Sequence, residues 1–158
     1  MRVIDCHFGI NNRLKRIALI TRETDYAVRA MIYLAIQEDR TVPVSSSDLA
    51  EEMAVPYRFL RKIVLKLVNA KLVNSKRGKG GGLNLAVDPN DVTLYDIMNA
   101  VDPVGVRLNI CLDDSSRCSR SYFCGLRSKL RGIQAAFDAS LKDVTLASIA
   151  VGEGVKAG

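Results

Sequence analysis

The sequence predicts a mainly α-helical fold with one small β-hairpin. Three observations support this prediction. Apolar residues recur at helical spacing in residues 24–37, 57–70 and 125–141, and two short strand-like runs flank a glycine-rich segment. Serine and proline mark the predicted helix starts. The chain has 158 residues, 48% of them hydrophobic, which is enough for a real core.

The first predicted helix covers residues 24–37 and has one apolar stripe. Thr21 or Thr24 can cap its N-terminus. Residues 1–19 lack such a period, and we predict that they form an N-terminal extension. This extension is either a disordered arm or a stretch that is not translated, because the cell does not use the upstream start codon.

Two further helices follow, and together they suggest a DNA-binding layout. Ser45-Ser46-Ser47-Asp48 offers N-cap groups for a short second helix, which ends before Pro56. The third helix, residues 57–70, has an apolar face and an opposite face with Arg58, Arg61, Lys62 and Lys66. A short helix, a tight turn and a cationic amphipathic helix form a helix-turn-helix, in which the second helix enters the major groove.

A β-hairpin wing is predicted after the third helix, with strands at residues 72–76 and 83–87. Its glycines permit positive φ and close approach of the backbone to a phosphate at Gly80, while the charge comes from Lys76, Arg77 and Lys79. A nucleotide-binding phosphate loop does not fit, because the required glycine-lysine spacing is absent and a strand follows. A purely structural glycine turn is the remaining alternative.

The positive charge is concentrated in this region. Residues 53–87 hold eight of the 23 basic residues and none of the 17 acidic ones, so the rest of the chain has 15 against 17. A localised patch of one sign favours a polyanionic partner, although a solvated basic face is the alternative. No apolar run is long enough to span a bilayer and no signal peptide opens the chain, so we expect a soluble, cytoplasmic protein without a membrane partner.

Three of the four cysteines, Cys111, Cys118 and Cys124, fall in one polar segment of fourteen residues. Clustered thiols in the cytoplasm suggest metal or redox chemistry. Their spacing does not form two zinc knuckles and suits a larger iron-sulfur cluster, while zinc, a thiol switch and bystander cysteines stay open. A fourth ligand must come from elsewhere. The only histidine lies in the extension, which favours Asp113, Asp114 or a carboxylate of a partner subunit.

A long C-terminal helix is predicted over residues 125–141, followed by a short final helix that begins near Thr145. The apolar stripe of the long helix consists of Leu126, Leu130, Ile133, Phe137 and Leu141. This stripe is long enough to pair with a second copy of itself or to pack on its own domain. The predicted organisation is an extension at 1–19, a winged helix-turn-helix at 20–87, and a cysteine loop (111–124) with a dimerisation helix within 88–158.

These motifs resemble the Rrf2 family of bacterial winged-helix regulators over residues 19–150. The resemblance implies a homodimeric transcriptional regulator that binds a pseudo-palindromic double-stranded DNA operator and is not an enzyme. It also implies a 2Fe-2S or 4Fe-4S cluster in the cysteine loop. The matching motifs are Ile20-Thr-Arg-Glu-Thr-Asp-Tyr-Ala-Val-Arg-Ala, Asp48-Leu-Ala-Glu, Leu60-Arg-Lys-Ile, Arg77-Gly-Lys-Gly-Gly-Gly, Val101-Asp and the three-cysteine segment.

The resemblance assigns Cys111, Cys118 and Cys124 as cluster ligands, with one extra residue between the first two. Some family members have a histidine three residues after the last cysteine, but here Arg127 stands there and cannot deprotonate to bind iron. In other members an aspartate near the start of the first helix of the other subunit completes the cluster, and Asp25 matches it. A first-turn aspartate favoured by the helix dipole is the alternative for Asp25.

The resemblance also implies DNA contacts. Arg77 matches an arginine that the family inserts into a narrow minor groove. Arg58, Arg61 and Lys62 lie on the recognition helix, and Arg61 replaces a glutamate of some members, so the operator should differ from theirs. Tyr57 either holds a phosphate or packs at the helix start. Nitric oxide, oxygen and cluster supply are the expected signals. The alternative is a cluster-free regulator controlled by thiol oxidation or a partner protein.

Overall fold

A computed structural model describes residues 20–78, 80–104, 106–113 and 121–151. Within these ranges the chain is mostly helical with one two-stranded antiparallel sheet, which confirms the predicted fold class. The predicted extension and residues 152–158 lie outside the described residues. The elements are α1 (Arg22–Ala35), α2 (Ser46–Glu52), α3 (Tyr57–Asn69), β1 (Val73–Lys76), β2 (Gly82–Leu85), α4 (Leu94–Val101), α5 (Ile110–Asp113), α6 (Gly125–Lys142) and α7 (Leu146–Ala150).

The first helix begins two residues earlier than predicted. Thr21 is its N-cap, and the hydroxyl of Thr21 accepts a hydrogen bond from the backbone N–H of Thr24 at 3.2 Å. Thr24, the other candidate cap, is buried inside the helix. The predicted apolar stripe, which includes Ala27, Met31 and Leu34, is buried in the core.

Both helices of the helix-turn-helix end in the same way. After α2, the Val55 N–H donates to the Ala50 carbonyl at 2.9 Å and Ala54 has a φ of 51°. After α3, the Leu72 N–H donates to the Leu67 carbonyl at 3.0 Å, while Lys71 has a φ of 61°. Each is a Schellman motif with a non-glycine residue in the left-handed position that glycine favours.

The predicted hairpin is present, with slightly shorter strands than expected. β1 and β2 pair in a register that runs from Val73↔Leu85 to Lys76↔Gly82. Val44, just before α2, forms an antiparallel bridge with Leu83 through two 2.8 Å hydrogen bonds. β2 therefore lies between β1 and the residues that lead into α2, so the wing is joined to the helix-turn-helix from both ends.

One core cluster joins the winged helix to residues much later in the chain. Met31 of α1 and Leu60 of α3 share it with Ile97 of α4 and Leu146 of α7. The Leu146 N–H also donates to the Val92 carbonyl at 2.7 Å, which ties the start of the short final helix to the residues before α4. The domain boundary at residue 87 stays a prediction.

The long C-terminal helix α6 extends one residue beyond its predicted end. Its apolar stripe is poorly covered within the single chain: Leu126 is 67% exposed and Ile133 is 56% exposed. Leu130, Phe137 and Leu141 are half-buried. Neither α6 nor any other helix among the described residues combines the length and apolarity required for a membrane crossing.

Candidate nucleic-acid interface and cysteine segment

The outer face of α3 carries the predicted DNA-binding side chains. Arg58, Arg61 and Lys62 are exposed, and Tyr57 is 51% exposed at the start of the helix. The opposite face is buried in the core through Leu60, Ile63 and Leu67. The amphipathic pattern has therefore placed these cations on one accessible surface, as the sequence predicted.

An aromatic pair supports the first turn of this helix. The rings of Phe59 on α3 and Tyr26 on α1 have centroids 6.5 Å apart. The guanidinium carbon of Arg58 lies 5.8 Å from the centroid of Phe59, within the range of a cation–π contact. Arg58 is thus held partly in place by its neighbour, which lowers the entropy it would lose on binding.

Lys66 points toward α1 and α4 and not outward with Arg58, Arg61 and Lys62, which corrects its predicted place on the exposed cationic face. Its ammonium nitrogen lies 2.7 Å from a carboxylate oxygen of Glu23 and donates to the Val101 carbonyl at 2.6 Å. Lys66 therefore ties α3 to α1 and α4. Helical spacing could not reveal this role, because Val101 is far away along the chain.

The wing presents Lys76, Arg77 and Gly80 at an exposed surface, whereas Lys79 lies outside the described residues. Gly78 has a φ of 94° and Gly80 a φ of 75°, so the expected positive φ is present at both positions. At Gly81 the close approach is to the protein itself. A Cβ atom there would lie 2.2 Å from the carbonyl oxygen of Lys76.

A groove of about 500 Å³ lies between α3 and the hairpin. Arg61 of α3 and Arg77 of the wing both line it, together with Tyr57, Leu65 and Ser75. The two cationic elements therefore share one concave surface. Such a surface can hold a phosphate backbone while the helix face reaches a major groove.

Arg127 joins the two described cysteine residues. Cys111 lies on α5 and Cys124 is the N-cap of α6, and both are half-buried free thiols. The Arg127 side chain donates from Nε to the Cys111 carbonyl at 2.8 Å, and its backbone N–H donates to Cys124 Sγ at 3.4 Å. Sequence reasoning missed this role. The predicted ligand Cys118, Asp114 and the side chain of Asp113 lie outside what the structure describes.

The residues before Cys111 are held on α6 by a buried amide. Gln134 is 6% exposed, and its Nε2 donates to the Val106 carbonyl at 2.8 Å while its Oε1 accepts from the Leu108 N–H at 2.8 Å. Asp138 accepts a further bond from Gln134 at 2.6 Å and lies 3.5 Å from Arg107. Because both the oxygen and the nitrogen of the buried Gln134 amide have partners, this side chain holds the backbone of Val106 and Leu108 on α6.

Asp25 lies in the first turn of α1 with its side chain 44% exposed. Its Oδ2 is 3.1 Å from Nε of Arg29, one turn later. The carboxylate is therefore partly accessible to solvent. Thiolates are the usual ligands of iron-sulfur clusters, so Cys111 and Cys124 have the right donor chemistry for part of such a site.

A helix-turn-helix and a hairpin wing with cations on a shared groove define a winged helix-turn-helix DNA-binding protein. Residues 20–152 match the Rrf2 family, described as iron-dependent transcriptional regulators. The chain therefore belongs to the Rrf2 family and is a transcriptional regulator, not an enzyme.

Individual relatives show the same class. The HTH-type transcriptional repressor NsrR of Streptomyces coelicolor is 29% identical over 130 residues, which are 82% of this chain and 86% of that protein. The structure of T. potens IscR has a TM-score of 0.64 at 25% identity and covers 87% of this chain and 89% of its own. CymR (YrzC), the global cysteine regulator of B. subtilis, has a TM-score of 0.59 at 26% identity, with 84% and 96% covered.

Proposed function

We propose that this protein is a homodimeric transcriptional regulator whose operator affinity depends on an iron-sulfur cluster at Cys111, Cys118 and Cys124. The observation that carries the proposal is the link that Arg127 makes between the Cys111 and Cys124 positions. The backbone of Cys111 and the sulfur of Cys124 are thereby both held at the start of one helix. The family's description as iron-dependent supports the choice of metal.

The cluster is of the 2Fe-2S or 4Fe-4S type, and Asp25 of the other subunit is the proposed fourth ligand. Arg127 cannot act as a ligand, and its guanidinium instead holds the Cys111 backbone beside α6. A bound cluster supplies a centre that nitric oxide, oxygen or a shortage of cluster supply can alter. Contacts between the cysteine segment, α6, α4 and α3 would convert a change at the cluster into a change in DNA affinity.

Dimerisation through α6 follows from its exposed apolar stripe. Leu126 and Ile133 are more than half exposed in the single chain, and pairing α6 with its own copy would remove them from water. A two-fold dimer presents two α3 helices and two wings. It therefore fits a pseudo-palindromic operator whose half-sites lie about one helical turn of DNA apart.

Each subunit contacts double-stranded DNA through two elements. Arg58, Arg61 and Lys62 of α3 face the major groove, and the hydroxyl of Tyr57 holds a phosphate at the helix start. The wing contributes its own cations, with Arg77 inserted into a narrow minor groove. Its remaining proposed contacts are Lys76, Lys79 and the backbone of Gly80.

The link between the two regions runs through α6 and α4. Arg127 and Gln134 fix the cysteine segment to α6, while Lys66 fixes α3 to the end of α4. An effector shifts DNA affinity only to the extent that it favours one placement of these elements over another. Cysteine chemistry that moves the 106–111 segment therefore changes the placement of α3 in the dimer.

Protein purified without oxygen tests the cluster. We expect sulfur-to-iron charge-transfer absorption with matching iron and acid-labile sulfide in the wild type, and their loss in Cys111→Ser. The control is Cys6→Ser, because Cys6 is the one cysteine outside the proposed site. Equal iron and sulfide in wild type and Cys111→Ser would contradict the assignment of Cys111.

The fourth ligand needs its own pair of variants. Asp25→Ala should retain less iron after gel filtration than the wild type. Asp48→Ala removes another first-turn aspartate, in α2, and should retain the wild-type amount. Equal iron retention in the two variants would indicate that Asp25 serves only the helix dipole and the ion pair with Arg29.

A cluster-free regulator controlled by thiol oxidation is the second candidate. The free thiols of Cys111 and Cys124 and the similarity to CymR, the global cysteine regulator of B. subtilis, favour it. A protein that holds neither iron nor sulfide after cluster reconstitution, yet changes operator affinity when its thiols are oxidised, would support this candidate. Such a result would exclude the cluster.

A further inference from the structure

A leucine occupies the centre of the cationic face of α3. Leu65 is 61% exposed, although neighbouring positions Ile63 and Leu67 are buried in the core. It follows Arg61 by four residues and Arg58 by seven, the spacings that place side chains on one helix face. Leu65 therefore projects from the same surface as the proposed DNA-reading arginines.

The groove next to the wing supports this placement. Leu65 lines it together with Tyr57, Arg61 and Arg77, so this leucine belongs to the surface that would receive DNA. A large exposed apolar side chain among cations adds nothing to the core. It also offers no hydrogen bond to a phosphate or to a base edge. Its chemistry suits an apolar group that lies among polar ones.

The major groove of DNA contains one such group, the C5-methyl of thymine. We propose that Leu65 is a specificity-determining residue that selects thymine by contact with this methyl group. The inference rests on the proposed operator binding by α3. Because the α-helix rises about 1.5 Å per residue, the contact should lie about 6 Å from that of Arg61, or about two base pairs away.

The test starts with duplexes that the wild-type protein enriches from a random pool without 5-methylcytosine, so that thymine carries every C5-methyl group. Each thymine of the enriched duplex is then replaced singly by deoxyuridine, which removes only the methyl. We expect one thymine per half-site to cost the wild type about fourfold in affinity, the equivalent of one buried methyl group.

The variant Leu65→Ala should bind the thymine and deoxyuridine duplexes equally at that position. The control Val104→Ala truncates another exposed apolar side chain, between α4 and α5, and should keep the wild-type discrimination. Thermal unfolding of both variants checks the fold, since neither residue is buried.

Two results would overturn the assignment. One is a wild-type protein that is indifferent to deoxyuridine at every position of an enriched duplex. The other is a Leu65→Ala variant that discriminates as the wild type does. A wild-type protein that enriches no sequence would overturn operator recognition as well, so the two failures are distinguishable.

Discussion

The ammonium nitrogen of Lys66 donates a hydrogen bond of 2.6 Å to the carbonyl oxygen of Val101, the last residue of α4. This contact places a positive charge at the negative end of the α4 dipole. The same nitrogen lies 2.7 Å from Glu23 at the start of α1. One side chain of the recognition helix therefore holds the two helices that pack beside it.

Replacement of Lys66 by methionine should destabilise the protein. Methionine keeps the apolar stem but loses the charged hydrogen bond to Val101 and the ion pair with Glu23. Because the pair is about 40% exposed, we expect a loss of about 1–2 kcal/mol in the free energy of unfolding, measured by urea denaturation. Lys62→Met is the control, and equal losses in the two variants would contradict the role of Lys66.

Substitution of Arg77 by alanine should weaken operator binding and its salt dependence. Loss of one phosphate contact lowers the slope of log affinity against log salt concentration by about one unit. Fluorescence anisotropy titrations over a range of salt concentrations measure this slope. Lys66→Met should leave the slope unchanged, because its charge is paired within the protein. An unchanged slope in Arg77→Ala would show that Arg77 does not meet phosphate.

Alanine should have graded effects in the wing. At Gly80 the new Cβ meets nothing within 4 Å of the protein. The strain at φ 75° should therefore lower the free energy of unfolding by about 1 kcal/mol. At Gly81 the Cβ would lie 2.2 Å from the Lys76 carbonyl, which forces the hairpin to rearrange. Gly81→Ala should therefore lower operator affinity more than Gly80→Ala. Affinity titrations and thermal melts would contradict this if the order were reversed.

Glycine at Ala54 should stabilise the turn of the helix-turn-helix. Ala54 is exposed with a φ of 51°, so glycine relieves left-handed strain without loss of core packing. We expect a gain of up to about 1 kcal/mol in the free energy of unfolding. Ala139→Gly, on the surface of α6, should instead lose about 1 kcal/mol. Destabilisation of both variants would show that the turn is not strained.

Local patterns predicted much of the fold. The apolar stripe of residues 24–37 and the amphipathic pattern of 57–70 placed α1 and α3 to within a few residues. The helix α4 was not predicted, although Thr93 and Asp96 form a capping box that the sequence displays. The bridge between Val44 and Leu83 joins residues that are distant along the chain, and local patterns do not predict such a pairing.

The sequence likewise predicted one part of the candidate site and not the other. Helical spacing was sufficient to place Arg58, Arg61 and Lys62 on one exposed face. It could not show that Lys66 is paired internally, because that depends on the position of Val101. The link from Arg127 to the Cys111 carbonyl likewise depends on how α5 and α6 meet, which only tertiary structure determines.

The sulfur of Cys124 caps the first turn of α6 by accepting a hydrogen bond from the Arg127 N–H. A negatively charged sulfur accepts a stronger hydrogen bond than a thiol does. The chemical state of one atom and the winding of a helix end are therefore thermodynamically linked. A partner that prefers the thiolate favours a wound first turn, and a modification that blocks the sulfur favours an unwound one.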